Sequence, residues 1–201
     1  MPIRAVIFDL GGVLLRTEDR GPRERLAARL GLDYAGLSRL IFDNESAIQA
    51  TLGKVSEKDH WDEIRSQLGI SPEEIRTVEA EFWAGDRMDE ELVEYSRSLR
   101  PQVKTGLLSN AWDGLRSLIQ NRWRIAGAFD DILISAEVGL AKPDPRIYHL
   151  AVQRLGVVLQ EAVFVDDFAH NVEAAQREGL HAVHFQNAGQ ARSDVEKLLQ
   201  R

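Results

Sequence analysis

The chain has 201 residues, of which 44% are hydrophobic, and its formal net charge at pH 7 is −7. This size allows a sizeable core, in one domain or a domain with a subdomain. The negative charge argues against a nucleic-acid-binding protein, because such proteins usually carry a basic surface. Cysteine is absent, which excludes disulfides and cysteine-ligated zinc and favours a reducing cytoplasm. We expect neither a signal peptide nor a membrane span, since no apolar stretch approaches the roughly 18 residues that a span needs.

The first predicted element is a buried strand over residues 5–8, which ends at Asp9. Gly11 and Gly12 follow it almost at once, and an apolar run that ends in this way is typical of a central parallel strand opening into a loop. Ligands of open α/β sheets bind just beyond the carboxyl ends of such strands. A buried carboxylate there needs a partner, because an unpaired charge is costly to bury.

Residues 16–87 form the next predicted unit, an all-helical insert. Ser56 and Ser71 each precede an acidic residue by three positions, which resembles the capping box that begins a helix. Apolar residues recur at three- and four-residue spacing in four segments, at residues 22–30, 34–52, 57–68 and 72–83. We therefore predict about four helices, joined at both ends to the rest of the chain.

From residue 88 onward, predicted helices and strands alternate. The predicted strands cover residues 103–108, 132–134, 162–165 and 182–185. The predicted helices cover residues 91–99, 112–122, 145–155, 172–178 and 193–199. Such alternation implies βαβ units and a parallel sheet, so the predicted fold class is α/β.

Acidic residues at two strand ends predict a cation site. Asp166 and Asp167 follow one apolar strand as Asp9 follows the first. Magnesium prefers oxygen ligands and is usually held by one or two carboxylates together with water and substrate phosphate. Asp9 and Asp167 meet this need, and the backbone carbonyl of Gly11 would add a third ligand. The alternative is that the paired aspartates form a solvated turn or cap a helix, and that Asp9 forms a turn before the glycines.

Three further residues are candidates for binding an anion. Lys142 lies beside Pro143 in a loop that precedes a predicted helix. A lysine is a point charge that neutralises phosphate, and proline restricts the motion of its loop. Ser109 and Asn110 end a predicted strand and could donate hydrogen bonds to phosphate oxygens. The alternatives are a solvated surface lysine and a helix cap.

The histidines and tryptophans give weaker signals. We interpret His60 and His170 as exposed helical residues. The tryptophans are interpreted as contacts within the core or the insert rather than a platform for stacking bases: Trp61, Trp83, Trp112 and Trp123.

Together the motifs resemble the haloacid dehalogenase (HAD) superfamily. In chain order they occupy residues 8–13, 108–110, 142–143 and 165–167, and Asn171 follows the last. The insert between the first two motifs is similar to the helical cap of subfamily I. The resemblance implies a Rossmann-like, HAD-like core of residues 1–15 and 88–201, with a cap domain at residues 16–87. It also implies a hydrolase of the phosphatase type.

The resemblance also implies roles for individual residues. Asp9 matches the nucleophile, which attacks phosphorus and becomes an aspartyl phosphate. Ser109 matches the hydroxyl residue that binds the transferring phosphoryl group, helped by the backbone of Asn110. Lys142 matches the lysine that offsets negative charge between nucleophile and phosphate. Phosphoryl transfer requires mainly alignment and charge neutralisation, which a lysine and a metal supply.

The same resemblance implies a magnesium cofactor. Asp167 matches the acidic magnesium ligand, and it would act beside Asp9 and the carbonyl of Gly11. Asp166 and Asn171 would act on the metal directly or through ordered water.

Gly11 departs from the pattern of the superfamily. Its phosphatases usually carry a second aspartate two positions after the nucleophile, where this chain has glycine. That acid protonates the leaving alkoxide and later activates water, which contributes about 10²–10⁴-fold in rate. Glu45 and Asp19 in the insert are candidate substitutes, with Glu45 also a candidate substrate contact. A solvated helix face is the alternative for both.

The predicted function is therefore magnesium-dependent hydrolysis of a small phosphorylated metabolite. Gly11 keeps open a weakly active or non-catalytic relative that binds a phosphorylated ligand or a partner protein. It counts against a phosphomutase, which needs the missing acid on every turnover. A metal-free 2-haloacid dehalogenase would tolerate Gly11. However, Asp166 and Asp167 disfavour that enzyme, because clustered carboxylates raise each other's pKa and repel a carboxylate substrate.

Overall fold

The computed structural model describes residues 1–200 and contains two sheets. The strands are β1 (Ala5–Phe8), β2 (Leu15–Thr17), β3 (Asp86–Met88), β4 (Lys104–Ser109), β5 (Asp131–Ile134), β6 (Ala162–Asp166) and β7 (His181–His184). Five of them form a parallel sheet in the order β5-β4-β1-β6-β7, and β2 pairs with β3 in a separate antiparallel ribbon. The predicted α/β class with a parallel sheet is confirmed.

The helices fall into two groups. Those between β2 and β3 are α1 (Gly21–Arg29), α2 (Tyr34–Phe42), α3 (Glu45–Thr51), α4 (Glu57–Leu68) and α5 (Pro72–Trp83). Those that alternate with strands are α6 (Glu90–Leu99), α7 (Leu115–Ser117), α8 (Ser135–Val138), α9 (Pro145–Leu155), α10 (Ala169–Glu178) and α11 (Ala188–Leu199). Within residues 1–200, no helix combines the length and apolar character that a membrane crossing requires. We call residues 18–85, which include α1–α5, the helical insert.

Strand β1 occupies the centre of the parallel sheet and is buried on both faces. Phe8 pairs with Leu107 of β4 on one side and with Val165 of β6 on the other. Its side chain packs into one apolar cluster, while that of Ile7 packs into the cluster on the opposite face. Burial on both faces explains the uninterrupted apolar run in the sequence. Asp9 consequently emerges between the ends of two neighbouring strands.

The insert contains five helices rather than the predicted four. The segment predicted as one helix over residues 34–52 breaks after Phe42, and Asn44 begins α3. The Asn44 side chain accepts a hydrogen bond from the Ala47 backbone N–H at 2.9 Å and donates one to the Leu40 carbonyl at 2.6 Å. Asparagine favours such local bonds over a continuous helix, and the apolar periodicity across the break concealed it.

The ribbon of β2 and β3 was not predicted. Leu15 pairs with Met88 and Thr17 with Asp86, so the two ends of the insert are joined to each other. The strands are short and partly exposed, with no apolar alternation by which they could be identified. Asp86 strengthens the junction, since its carboxylate also pairs with Arg23 at 2.9 Å.

Several element boundaries differ from the prediction because polar or tertiary contacts determine them. The last helix begins at Ala188 rather than at residue 193, because the Asn187 side chain accepts a hydrogen bond from the Gln190 backbone N–H at 2.9 Å. The helix predicted from residue 112 begins at Leu115 and continues as a π-helical turn over Leu118–Arg122. α10 begins at Ala169, and the two strands predicted at 103–108 and 182–185 shift by one residue.

His60 is buried, so the prediction of an exposed residue is wrong. Its Nε2 lies 3.0 Å from the Ile41 carbonyl, and its Nδ1 lies 2.6 Å from Ser46 Oγ. Both ring nitrogens therefore have partners, which explains how a polar ring is accommodated in the insert's core. His170 is exposed, as predicted.

The insert has an apolar cluster of its own, which includes Trp61 and has Trp83 packed against it. Trp112 belongs to this cluster although it follows β4 in the chain. Trp123 packs against the cluster of the parallel sheet. The interpretation of the tryptophans as packing residues is confirmed by these contacts.

The insert approaches α8 closely at Gly53, which has a positive φ of 68°. A Cβ atom there would lie 1.9 Å from the carbonyl oxygen of Ala136 in α8. Gly69 has a similar φ of 64°, but a Cβ atom at that position would meet no atom within 4 Å. The two glycines thus share a backbone conformation and differ in their surroundings.

We expect Gly53→Ala to destabilise the protein more than Gly69→Ala. Left-handed backbone strain costs each variant about 1–2 kcal/mol. The steric clash with Ala136 adds about 1–3 kcal/mol to Gly53→Ala alone. Urea unfolding of both variants measures the difference, and equal losses of stability would contradict the close approach.

Candidate active site

Three carboxylates converge at the carboxyl ends of β1 and β6. Asp9, Asp166 and Asp167 each offer an oxygen, and these oxygens lie within 4.8 Å of one another. Asp9 and Asp166 are buried, and Asp167 is partly buried. Parallel strands end at the same edge of a sheet, which is why residues 157 positions apart meet.

The ammonium group of Lys142 lies among these carboxylates. Its Nζ is 2.8 Å from Asp9 Oδ1 and 2.7 Å from Asp166 Oδ2. It also donates a hydrogen bond to the Leu108 carbonyl at 3.1 Å. All three of its donor positions are used, and the side chain is buried. The predicted lysine is therefore part of the site and not a surface residue.

The charges of the site do not balance. Burial, together with repulsion from Asp166 and Asp167, raises the pKa of Asp9 to about 7, although Lys142 opposes the shift. Burial and the neighbouring Asp166 also raise the pKa of Asp167. Burial alone would lower the pKa of Lys142, but the attraction of Asp9 and Asp166 outweighs it, and the pKa rises. One cation faces three carboxylates, so the site favours a second cation.

Two buried oxygens of the site have no hydrogen-bond partner within residues 1–200: Asp167 Oδ1 and Asn171 Oδ1. Such a buried oxygen costs about 1–3 kcal/mol when it stays unsatisfied. Carboxylate and amide oxygens are the ligands that hard divalent cations prefer. These oxygen ligands therefore fit a divalent cation of this kind, which Asp167 would bind directly.

Asp166 is turned mainly toward the protein. Besides Lys142, its carboxylate accepts hydrogen bonds from the Phe168 backbone N–H at 2.8 Å and from Asn171 Nδ2 at 3.0 and 3.2 Å. The Tyr148 hydroxyl in turn donates a hydrogen bond to the backbone carbonyl of Asn171 at 3.0 Å. These contacts hold Asp166 and Asn171 in place behind the site.

The two glycines after Asp9 have different surroundings. Gly12 has a φ of 76°, and a Cβ atom there would lie 2.1 Å from Asp167 Oδ2, so only glycine allows this approach. A Cβ atom at Gly11 would meet nothing within 4 Å. In this turn the Leu10 carbonyl accepts the backbone N–H groups of Val13, Leu14 and Leu15. No backbone hydrogen bond of this turn within residues 1–200 uses the Gly11 carbonyl.

Ser109 and Asn110 lie at the end of β4, next to β1. Ser109 is buried and ends the strand. The Asn110 side chain donates to the Lys142 carbonyl and accepts from the Lys142 backbone N–H, both at 2.8 Å. This two-fold clamp on the lysine loop has no signal in the sequence, because the residues are 32 positions apart. The clamp uses the side chain of Asn110 and not its backbone N–H.

The carboxylates of Glu45 and Asp19 form local hydrogen bonds within the insert. Glu45 is exposed on α3 and accepts a hydrogen bond from Gln49 Nε2 at 2.7 Å. It borders a cavity of about 460 Å³ whose lining residues all belong to the insert. Asp19 accepts a bond from the Gly21 backbone N–H at 2.8 Å at the start of α1. Within residues 1–200 neither carboxylate bonds to Asp9, Lys142 or Asp167.

The chain is similar to known proteins over most of its length. Residues 3–179 match the family model described as haloacid dehalogenase-like hydrolase. A sesquiterpene phosphatase from Aspergillus oryzae is 28% identical over 187 residues, which cover 90% of this chain and 89% of that protein. D-ribitol-5-phosphate phosphatase from Bacteroides thetaiotaomicron is 27% identical over 209 residues and 98% of both chains.

A solved structure shares the fold. It is a HAD-family enzyme from Bacteroides thetaiotaomicron in complex with magnesium and inorganic phosphate, with a TM-score of 0.76 and 23% identity. The match covers 96% of this chain and 98% of that one. Since the family model spans most of the chain, including β1 and β6 and the aspartates at their ends, this protein belongs to the haloacid dehalogenase-like hydrolases.

Proposed function

We propose that this hydrolase is a magnesium-dependent phosphatase that acts on a small phosphorylated metabolite through an aspartyl phosphate on Asp9. The observation that carries the proposal is the buried Lys142 facing three carboxylates. Such a site needs a further cation, and lysine with a divalent cation neutralises a phosphate dianion. Magnesium is the ion bound with phosphate in the similar enzyme from Bacteroides thetaiotaomicron.

The two oxygens of Asp9 have different roles in this proposal. Oδ1 is held by the Leu10 backbone N–H at 2.7 Å and by Lys142 Nζ at 2.8 Å. Oδ2 remains free to attack phosphorus. Its bond to phosphorus forms as the ester P–O bond breaks, and the leaving oxygen keeps the electron pair. The leaving oxygen takes a proton from solvent water. A water molecule then attacks phosphorus as the bond between Asp9 Oδ2 and phosphorus breaks, and it returns a proton to solvent, so inorganic phosphate is released and the Asp9 carboxylate is restored.

The other residues of the site align and neutralise the phosphoryl group. The Ser109 hydroxyl and the Asn110 backbone N–H donate to its oxygens, while Lys142 offsets its charge. Asp9, Asp167 and the Gly11 carbonyl would hold magnesium, with Asp166 and Asn171 behind them. When bound, the metal supplies charge neutralisation at the phosphoryl oxygens.

We propose that residues 16–87 act as a cap domain over a core of residues 1–15 and 88–201. The apolar cluster of the insert and the ribbon of β2 and β3 support this division. A cap of this kind excludes water during phosphoryl transfer and opens for product release. The relatives are named for a sesquiterpene substrate and for ribitol 5-phosphate, so we infer only that the substrate is a small phosphorylated molecule.

Gly11 favours a second candidate function, a weakly active relative that mainly binds a phosphorylated ligand. The leaving alkoxide requires a proton, and glycine has no side chain to supply one. A site that neutralises the phosphate charge but cannot protonate the leaving group would bind a phosphorylated ligand well and hydrolyse it slowly.

Hydrolysis of p-nitrophenyl phosphate tests the phosphatase proposal. Its leaving group is stable as an anion, so the reaction depends little on the missing acid. We expect turnover that requires magnesium and is lost in Asp9→Asn, a variant that keeps the size of the side chain and the bond from Leu10. Steady-state kinetics measure this, with circular dichroism to verify folding. Equal activity in Asp9→Asn would show that Asp9 is not the nucleophile.

Magnesium binding can be measured without turnover. We expect magnesium to stabilise the wild-type protein by about 2.7 kcal/mol at a concentration 100 times its Kd. Asp167→Asn should lose most of this gain, because it removes the charge of the proposed ligand. Asp194→Asn is the control, since this partly exposed carboxylate on α11 lies outside the site. Thermal unfolding with and without magnesium gives the result, and an unchanged gain in Asp167→Asn would exclude this ligand.

Replacing Gly11 with aspartate tests the argument about the missing proton donor. A Cβ atom there meets open space, so the variant should fold. We expect Gly11→Asp to accelerate hydrolysis of an alkyl phosphate by about 10²-fold or more, while p-nitrophenyl phosphate gains much less. The ratio of the two kcat values is the measurement. A variant slower on both substrates would show that the site has adapted to glycine.

A further inference from the structure

We propose that the segment 110–113 couples the position of the helical insert to the alignment of Lys142, with Trp112 as a positioning residue. The catalytic consequence rests on the proposed function, whereas the coupling itself does not. This segment carries side chains that hold the lysine loop at one end and the insert at the other.

At its first residue, the segment controls the lysine. The Asn110 side chain binds both the backbone N–H and the carbonyl of Lys142. The Lys142 ammonium in turn lies 2.8 Å from Asp9 Oδ1. A shift of Asn110 would therefore move the backbone from which the ammonium reaches Asp9.

At its third residue, the segment enters the core of the insert. The Trp112 ring lies 4.6 Å from the His60 ring, 6.1 Å from Trp61 and 6.0 Å from Phe42, measured between centroids. Trp112 is only 8% exposed. His60 also contacts the Ile41 carbonyl and Ser46, so Trp112 contacts the residue that spans the break between α2 and α3.

Asp113 provides a second anchor. Its Oδ1 accepts a hydrogen bond from the backbone N–H of Glu57, the first residue of α4, at 2.9 Å. The next residue, Gly114, lies so close to Glu57 that a Cβ atom would be 2.2 Å from its Oε2. The insert is thus attached to the segment through an aromatic ring and through the start of a helix.

The middle of the segment has little freedom to absorb movement. The Ala111 backbone N–H donates to Ser135 Oγ at 2.9 Å, and the Ser135 hydroxyl lies 3.1 Å from the Ala111 carbonyl. Asn110 and Trp112 are two residues apart, a span of about 7 Å at most. Because the segment is this short, movement of the insert would displace Asn110 and, through Asn110, Lys142. Lys142 is aligned when Trp112 is packed in the core of the insert.

Comparison of Trp112→Ala with Trp83→Ala tests the coupling. Trp83 contacts the rings of Phe42 and Phe82, and within residues 1–200 its ring forms no aromatic contact with Trp112. The first readout is hydrogen exchange of the Asn110 side-chain amide by NMR, which requires no activity. We expect exchange to accelerate about tenfold in Trp112→Ala, because the loss of one net hydrogen bond has about this effect. Trp83→Ala should resemble the wild type.

The second readout is steady-state hydrolysis of p-nitrophenyl phosphate. We expect kcat to fall about 10- to 100-fold in Trp112→Ala, because small misalignments at a distance have effects of this size. KM should change much less, since Ser109 and Asp167, which are proposed to bind the phosphoryl group and the metal, lie outside the segment. A folded Trp112→Ala protein with unchanged Asn110 exchange overturns the coupling. If the wild type lacks turnover, the proposed function fails, and Asn110 exchange still decides the coupling.

Asp113 provides a second pair of variants in case Trp112→Ala does not fold. Asp113→Ala removes the acceptor for the Glu57 N–H, whereas Asp113→Asn retains an oxygen at that position. We expect faster Asn110 exchange and lower kcat in Asp113→Ala, with both restored in Asp113→Asn. Identical behaviour of the two variants would overturn the role of this anchor.

Discussion

The ion pairing of Lys142 with Asp9 and Asp166 is the interaction on which the rest of the site depends. Removing one partner from such a buried group typically costs about 3–5 kcal/mol, because a charge is left uncompensated. The lysine is held by Asn110 at its backbone and by the Leu108 carbonyl at its ammonium. The ends of β1, β4 and β6 and the lysine loop are thus joined around one charge.

The same pairing leaves an excess of negative charge, because one ammonium group faces three carboxylates. Asp167 keeps an unsatisfied buried oxygen, and its pKa is raised chiefly by burial and by Asp166. A divalent cation and a phosphate dianion are complementary to this arrangement. Gly12 allows the loop to approach Asp167, while Gly11 in the same turn has no side chain that could donate a proton. In the function proposed above, phosphate binding and protonation of the leaving group would therefore be separable.

Much of the fold and the site could be predicted because both depend on local patterns. Burial of β1 on both faces requires an apolar run, and the charged ends of β1 and β6 meet wherever two parallel strands are neighbours. The break at Asn44 and the ribbon of β2 and β3 could not be predicted in this way. Asn44 lies within a continuous apolar periodicity, and the ribbon has no alternation at all. The burial of His60 depends on partners in two other helices.

The sequence by itself determined the α/β class, the order of the motifs and the acidic and basic residues of the site. These follow from periodicity, from strand ends and from residue chemistry. Only the tertiary structure decided the clamp of Asn110 on Lys142, the pairing of Asp166 with Lys142 and Asn171, and the insertion of Trp112 into the helical insert. Each of these contacts joins residues distant in the chain, and their distances and directions depend on how the elements pack.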